Sequence, residues 1–238
     1  MLLVDIGNSR IKYAQLREGV LEQSLALEST GAIDSLSVQV KQCDGVFACT
    51  VANPKLAQIL SELCERNGVS CTWIDSTYPF NSQTHSYNNP AELGNDRWVA
   101  MAGARALYAG NLCVVDCGTA TTVDYISAEG QHRGGIIFAG LQTMRRALSR
   151  HTQDLPDADA PVSFFSRSTD EAVASGSVTA LCAGIDRVLD AAEEQFSNEI
   201  RVLIGGGEAE RVRAYLCHEA EYVPDLVLRG LAVAAGMQ

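Results

Sequence analysis

Two stretches of this chain repeat one plan. Leu2-Leu3-Val4-Asp5-Ile6-Gly7 is matched, 111 residues later, by Cys113-Val114-Val115-Asp116-Cys117-Gly118. Each run is an apolar strand that ends in Asp-x-Gly and leads into a second apolar run, so each reads as a strand hairpin. The separation is close to half of the 238 residues. The expectation is therefore two domains built alike, over 1–110 and 111–238, each of ordinary size for a small domain.

Between and after the hairpins, strand and helix signals alternate. A third strand is expected near 20–27, and Val46 to Cys49 reads as a strand. Asn53 to Asn67 reads as a helix with Pro54 in its first turn, and Val69 to Ile74 as another strand. Residues 76–94 form a polar stretch with aromatics and two prolines, a loop long enough to suggest function. Asn95 to Tyr108 follows as a helix with Asn95 as its N-cap. The second half adds a Gly-rich turn at Gly134-Gly135, a helix over 141–151 and a linker holding Pro156 and Pro161. Ser168 with Glu171 forms a capping box for a long helix reaching Phe196. A strand over 201–204, a tight turn at Gly205-Gly206-Gly207, and helices over 208–217 and 226–235 complete an α/β fold.

Charge and cysteine usage exclude several classes. The formal net charge is −11, and lysine occurs only at positions 12, 41 and 55, so nucleic acid and anionic membrane are poor partners. The N-terminus lacks the basic leader of a signal peptide, and no run approaches the roughly 20 apolar residues of a membrane span. The eight cysteines contain no CxxC pair, so they read as reduced core thiols of a cytosolic protein. His85, His132, His151 and His218 have no metal-ligand spacing and are expected at the surface.

Three segments carry chemistry. In Asp5-Ile6-Gly7-Asn8-Ser9, Gly7 permits a turn with positive φ that aims backbone N–H groups at phosphate oxygens, and Asp5 is a hard-oxygen ligand suited to Mg²⁺. The same residues also suit a plain tight hairpin. Asp116-Cys117-Gly118-Thr119-Ala120-Thr121-Thr122 repeats that turn with three threonine hydroxyls. In Gly94-Asn95-Asp96-Arg97, Asp96 stands in the first turn of a helix, whose dipole favours its ionised form. An ionised carboxylate there can take a proton from a substrate hydroxyl, and Arg97 can pair with a carboxylate or phosphoryl group. The Gly205-Gly206-Gly207 turn suits either a nucleotide edge or structure alone. There is no GxxxxGK[ST], so the chain is not a P-loop enzyme.

The segments DIGNSRIK, YNNPAELGNDR and DCGTATTVD, in this order and at these separations, resemble those of the type III pantothenate kinase family. GGIIFAGLQTM, STDEAVASG and IGGGEAE extend the resemblance to about Gly236. It implies two ribonuclease-H-like domains of the actin and sugar-kinase superfamily with an active-site cleft between them. The implied activity is transfer of phosphate from ATP to pantothenate, giving 4′-phosphopantothenate, the first step of coenzyme A synthesis, by a homodimer that uses Mg²⁺ and a monovalent cation, K⁺ or NH₄⁺. It further implies that Asp96 is the general base, flanked at the substrate by Gly94, Asn95 and Arg97, with Tyr87 and Thr169 contacting pantothenate. Asp5, Ile6, Gly7, Asn8, Ser9, Arg10, Ile11, Lys12 and Thr119 match ATP contacts, and Asp116 matches the monovalent-cation ligand. Ser9 stands where the family often has Thr, which keeps the hydroxyl. A sugar or acetate kinase, an exopolyphosphatase or a non-catalytic regulator on the same fold are the competing readings; the compact GNDR segment disfavours the first three, and retention of Asp5, Asp96 and Asp116 disfavours the last.

Overall fold

The structure, a computed structural model, describes residues 1–28, 33–51, 53–81, 83–196 and 199–237. They group into two compact units: 1–109 with 126–134 and 225–238, and 110–125 with 135–224. The units are thus not consecutive halves of the chain. Two later segments, 126–134 and 225–238, return to the first unit.

The first unit begins with the expected hairpin, β1 (Leu2–Ile6) and β2 (Arg10–Arg17), paired antiparallel with Asp5 opposite Lys12. The single strand expected near 20–27 is two short ones, β3 (Val20–Leu21) and β4 (Leu25–Glu28), both paired with β2. A 3₁₀ turn leads to α1 (Ser37–Lys41), then β5 (Gly45–Thr50), α2 (Pro54–Arg66) and β6 (Ser70–Trp73). β1, β5 and β6 run parallel, and the strand order is β3-β2-β1-β5-β6 with β4 also on β2. The alternation of β1 explains the layering: Leu2, Val4 and Ile6 join Leu36, Val40, Leu56 and Leu60 in one core. Leu3 and Asp5 therefore face the opposite side of the sheet, and α3 (Asn95–Leu107) packs against β5.

The second unit repeats the plan with β7 (Asn111–Cys117), β8 (Ala120–Ile126) and β9 (His132–Ala139), then α4 (Leu141–His151) and α5 (Thr169–Phe196). β10 (Ile200–Gly205), α6 (Ala209–Arg213) and β11 (Ala220–Tyr222) follow. Its strand order is β9-β8-β7-β10-β11, with β7, β10 and β11 parallel. This is the order of the first sheet, position for position, so the repeated Asp-x-Gly hairpin marks a repeated sheet. Gly134-Gly135, expected as a turn, lies inside β9. β11 was not expected, and α6 ends four residues before the anticipated Cys217.

α5 is long and apolar enough over one window to cross a membrane by length and composition, contrary to the expectation that no segment would be. Half of that window is buried, and Val178, Leu181, Ile185 and Leu189 belong to the core of the second unit, as in the central helix of a globular domain. Its start has the expected cap: Ser168 Oγ accepts from the Glu171 N–H at 3.2 Å, while the Glu171 carboxylate reaches back to the Arg167 N–H at 2.9 Å.

The last helix, α7 (Leu226–Ala234), returns to the first unit and packs along α3. The contact needs glycine on both helices. A Cβ on Gly230 would stand 1.9 Å from the Val99 carbonyl oxygen, and one on Gly103 would stand 2.2 Å from that of Leu226.

Candidate active site

In the first unit the site grows from the C-terminal ends of two adjacent parallel strands. Asp5, next to last in β1, lies beside Cys49 of β5, and the Cys49 thiol donates to Asp5 Oδ1 at 3.6 Å. Cys49 is fully buried; burial first, then the Asp5 and Asp96 carboxylates, push its thiol pKa well up. The thiol therefore stays neutral, hydrogen-bonded to Asp5 and with the Asp96 charge also opposing its ionisation. Sequence reasoning missed Cys49, and only the parallel β1–β5 register brings it to Asp5.

The start of α3 is anchored differently from the expectation. Gly94, not Asn95, is the N-cap residue, and Asn95 is the first helical residue. The Asn95 side chain is used elsewhere: its Nδ2 donates to the Thr50 carbonyl at 2.9 Å and its Oδ1 accepts from the Ser76 N–H at 3.0 Å. This amide fixes the helix start against the end of β5, so Asp96 is held by a tertiary tie as well as by its helix. Asp96 Oδ1 accepts from the Arg97 N–H at 2.8 Å, as suits an anion at a helix N-terminus. The guanidinium of Arg97 is buried and donates to the Tyr87 hydroxyl at 2.9 Å, with its carbon 5.7 Å from that ring's centre.

The hairpin turn between β1 and β2 holds Gly7, Asn8 and Ser9, with Gly7 N–H donating to the Arg10 carbonyl at 3.0 Å. Asn8, Ser9 and Arg10 are exposed, and Ile6 and Ile11 are buried. Neither Gly7 nor Gly118 adopts the positive φ expected of it. The small side chain matters at Gly7 through a near approach instead, because a Cβ there would be 3.2 Å from the Arg10 oxygen. Lys12 points to the same face as Asp5, and its ammonium lies 3.5 Å from Asp225, the N-cap of α7.

In the second unit, half-buried Asp116 lies near the end of β7, paired in register with Gly205 of β10. The following loop is braced by two close approaches. Gly206, at φ +95°, packs where a Cβ would be 2.4 Å from the Cys117 carbonyl oxygen, so the triple-glycine turn has a structural necessity. Gly140 N–H and Thr143 Oγ1, at the start of α4, both donate to the Thr119 carbonyl, at 3.0 and 2.6 Å. Thr119 is exposed and Thr122 half-buried, but Thr121 is buried beside the Cys117 sulfur. The expectation of three threonine hydroxyls facing a ligand is corrected by the period of the strand, which turns the middle one into the core. Thr169, the first residue of α5, is exposed.

The histidines also depart from expectation. Only His151 is exposed; His132 is buried, His85 sits edge-on to Trp98 at 5.4 Å, and His218 pairs with Asp186 at 2.9 Å. Their aromatic and acidic neighbours are distant in sequence, so no local pattern announces them. All eight cysteines are free thiols, and Cys217 alone is exposed.

Comparison with known proteins fits this geometry. The family model for type III pantothenate kinase matches residues 1–191. A type III pantothenate kinase from Nitrosococcus oceani is 35% identical over 248 residues, covering 99% of this chain and 93% of that protein. A Campylobacter jejuni structure assigned to the Baf family of transcriptional activators superposes with a TM-score of 0.65 at 24% identity, over 99% of this chain and 98% of that one. The acetate kinase of Porphyromonas gingivalis superposes at 0.54 and 10% identity, over 99% and 98%. The structural likenesses place the fold among the actin and sugar-kinase-like proteins, and the sequence matches go further: the chain belongs to the type III pantothenate kinase family.

Proposed function

We propose that this chain transfers the γ-phosphoryl group of ATP to the primary hydroxyl of pantothenate, giving ADP and 4′-phosphopantothenate. The observation that carries this reading is Asp96, held at a helix N-terminus by Asn95 and adjoining the Tyr87–Arg97 pair. Asp96 accepts the hydroxyl proton as the oxygen bonds to the γ-phosphorus and the bond from that phosphorus to the bridging oxygen of ADP breaks. Gly94, Asn95, Arg97, Tyr87 and Thr169 serve pantothenate. Residues 5–12 and Thr119 serve ATP, with Lys12 turned toward Asp225 in this structure.

Asp5 fits Mg²⁺ and Asp116 fits a monovalent cation, since each offers a half-buried carboxylate, the hard oxygen these ions prefer. Such ions supply charge to offset the polyphosphate. A homodimer is part of the same proposal. The glycine face of α5 is occupied at Gly184, where a Cβ would be 2.9 Å from the Phe138 ring. Exposed Ile136 and Ile137 on edge strand β9, with Phe164 and Phe165, are the better candidates. The cytosol is the proposed compartment, in keeping with the free thiols.

The test is ADP release by the purified protein with pantothenate, sugars, acetate or polyphosphate, in K⁺, NH₄⁺ or Na⁺ at fixed ionic strength. Turnover confined to pantothenate and falling sharply in Na⁺ is expected. No ADP release with pantothenate would sink the enzyme reading and leave the regulator reading standing. Equal rates in the three salts would remove the monovalent-cation site.

A further inference from the structure

We infer that His132 is a positioning residue for the acceptor substrate, acting through Tyr87 on Arg97, an inference that rests on the reading of the Tyr87–Arg97 pair as part of the pantothenate site. His132 lies at the start of β9, in the segment 126–134 that groups with the first unit. It is 1% exposed, and its ring stacks on that of Tyr87 with centres 5.8 Å apart and planes 26° from parallel. A buried imidazole in offset contact with a phenol restricts the ring to one plane.

The backbone around the histidine grips the same loop. The His132 N–H donates to the Thr84 carbonyl at 2.7 Å, and the Thr84 N–H donates to the Gly130 carbonyl at 3.1 Å. These two bonds, which form the isolated bridge between Thr84 and Gln131, pin the loop three residues before Tyr87. The tip is itself tied to α3, because Arg105 donates to the Ser127 carbonyl at 2.5 Å. Tyr87, so fixed, accepts from Arg97 at 2.9 Å. Arg97 follows Asp96 in the first turn of α3, so the stack holds the side chain of the residue next in sequence to the proposed base.

Loss of the ring leaves Tyr87 and Arg97 free to shift, and displacement of about 1 Å at a binding group is enough to cost a large factor in substrate use. The effect belongs to the acceptor and not to the nucleotide, because no residue of this stack is among the proposed ATP contacts.

The experiment measures steady-state kinetics and melting temperature for the wild type, His132→Ala, His132→Phe and Tyr87→Phe. His132→Ala should raise the pantothenate KM about tenfold or more, with the ATP KM within about twofold. His132→Phe keeps a flat ring and should bring the pantothenate KM back to within about threefold of the wild type. Tyr87→Phe keeps the stack but removes the acceptor for Arg97, and should raise the pantothenate KM again. An unchanged pantothenate KM in His132→Ala, a parallel rise in both KM values, or no rescue by Phe at unchanged melting temperature would each overturn the inference. Those results leave the kinase reading intact, whereas a wild type inert toward pantothenate would overturn both.

Discussion

At the residue scale, Asp96 is inconspicuous in the sequence but firmly held in the fold. Acidic residues are common in a first helical turn. Here the turn is anchored through Asn95 to Thr50 and Ser76, and a second carboxylate, Asp5 on β1, accepts from the Cys49 thiol. Asp96→Asn keeps size and hydrogen-bonding reach but removes basicity. It is expected to lower kcat by about 10²-fold or more while the ATP KM and the melting temperature barely move. A purely structural Asp96 would give the reverse, a stability change of up to about 1 kcal/mol and turnover within a few-fold of the wild type. Measuring the three quantities on one preparation separates the outcomes. Asp96 and Asp5, the proposed base and Mg²⁺ ligand, could be nominated from the sequence because their motifs are local. Cys49 and His132 drew no notice, because each meets its partner, Asp5 or Tyr87, more than forty residues away in sequence.

At the element scale, most helices and strands follow from periodicity and caps, and the failures have specific causes. Asn95 looked like an N-cap because its side chain suits that role, yet a tertiary tie to β5 claims the side chain and Gly94 takes the position. β11 is three residues long, too short for alternation to be read, and exists because β10 offers it an edge. The crossing of α3 and α7 makes a sharp prediction. Gly230→Ala places a methyl group 1.9 Å from a backbone oxygen, which only a separation of the helices can relieve. It should destabilise the protein by about 3 kcal/mol or prevent folding. Gly176→Ala on α5, where a Cβ meets nothing within 4 Å, should leave the melting temperature unchanged or raise it slightly through helix propensity. Thermal unfolding of the two variants side by side checks the contrast.

At the scale of the whole molecule, one strand plan is used twice, and the two sheets share an order although their sequences have little in common beyond Asp-x-Gly. The second use leaves β9 as an edge strand with Ile136 and Ile137 exposed, a surface that a monomer would leave in water. Light scattering at micromolar concentration should give a mass near twice the 25.5 kDa of one chain. Ile137→Lys should shift it toward one chain without loss of helix content. A wild type of single-chain mass, or a variant that stays double, would remove the proposed interface.

The sequence by itself determined the duplicated hairpins, the alternation of strands and helices and the three motif segments, because each is written within a few consecutive residues. Tertiary structure decided the rest. It returned 126–134 and 225–238 to the first unit, since α7 packs on α3 and the hairpin tip bonds to the loop before Tyr87. It turned Thr121 inward, buried His132, and set the Cys49 thiol against the Asp5 carboxylate. These are matters of register and long-range packing, in which a residue's neighbours are fixed by how strands pair and helices cross, and local patterns carry no record of that.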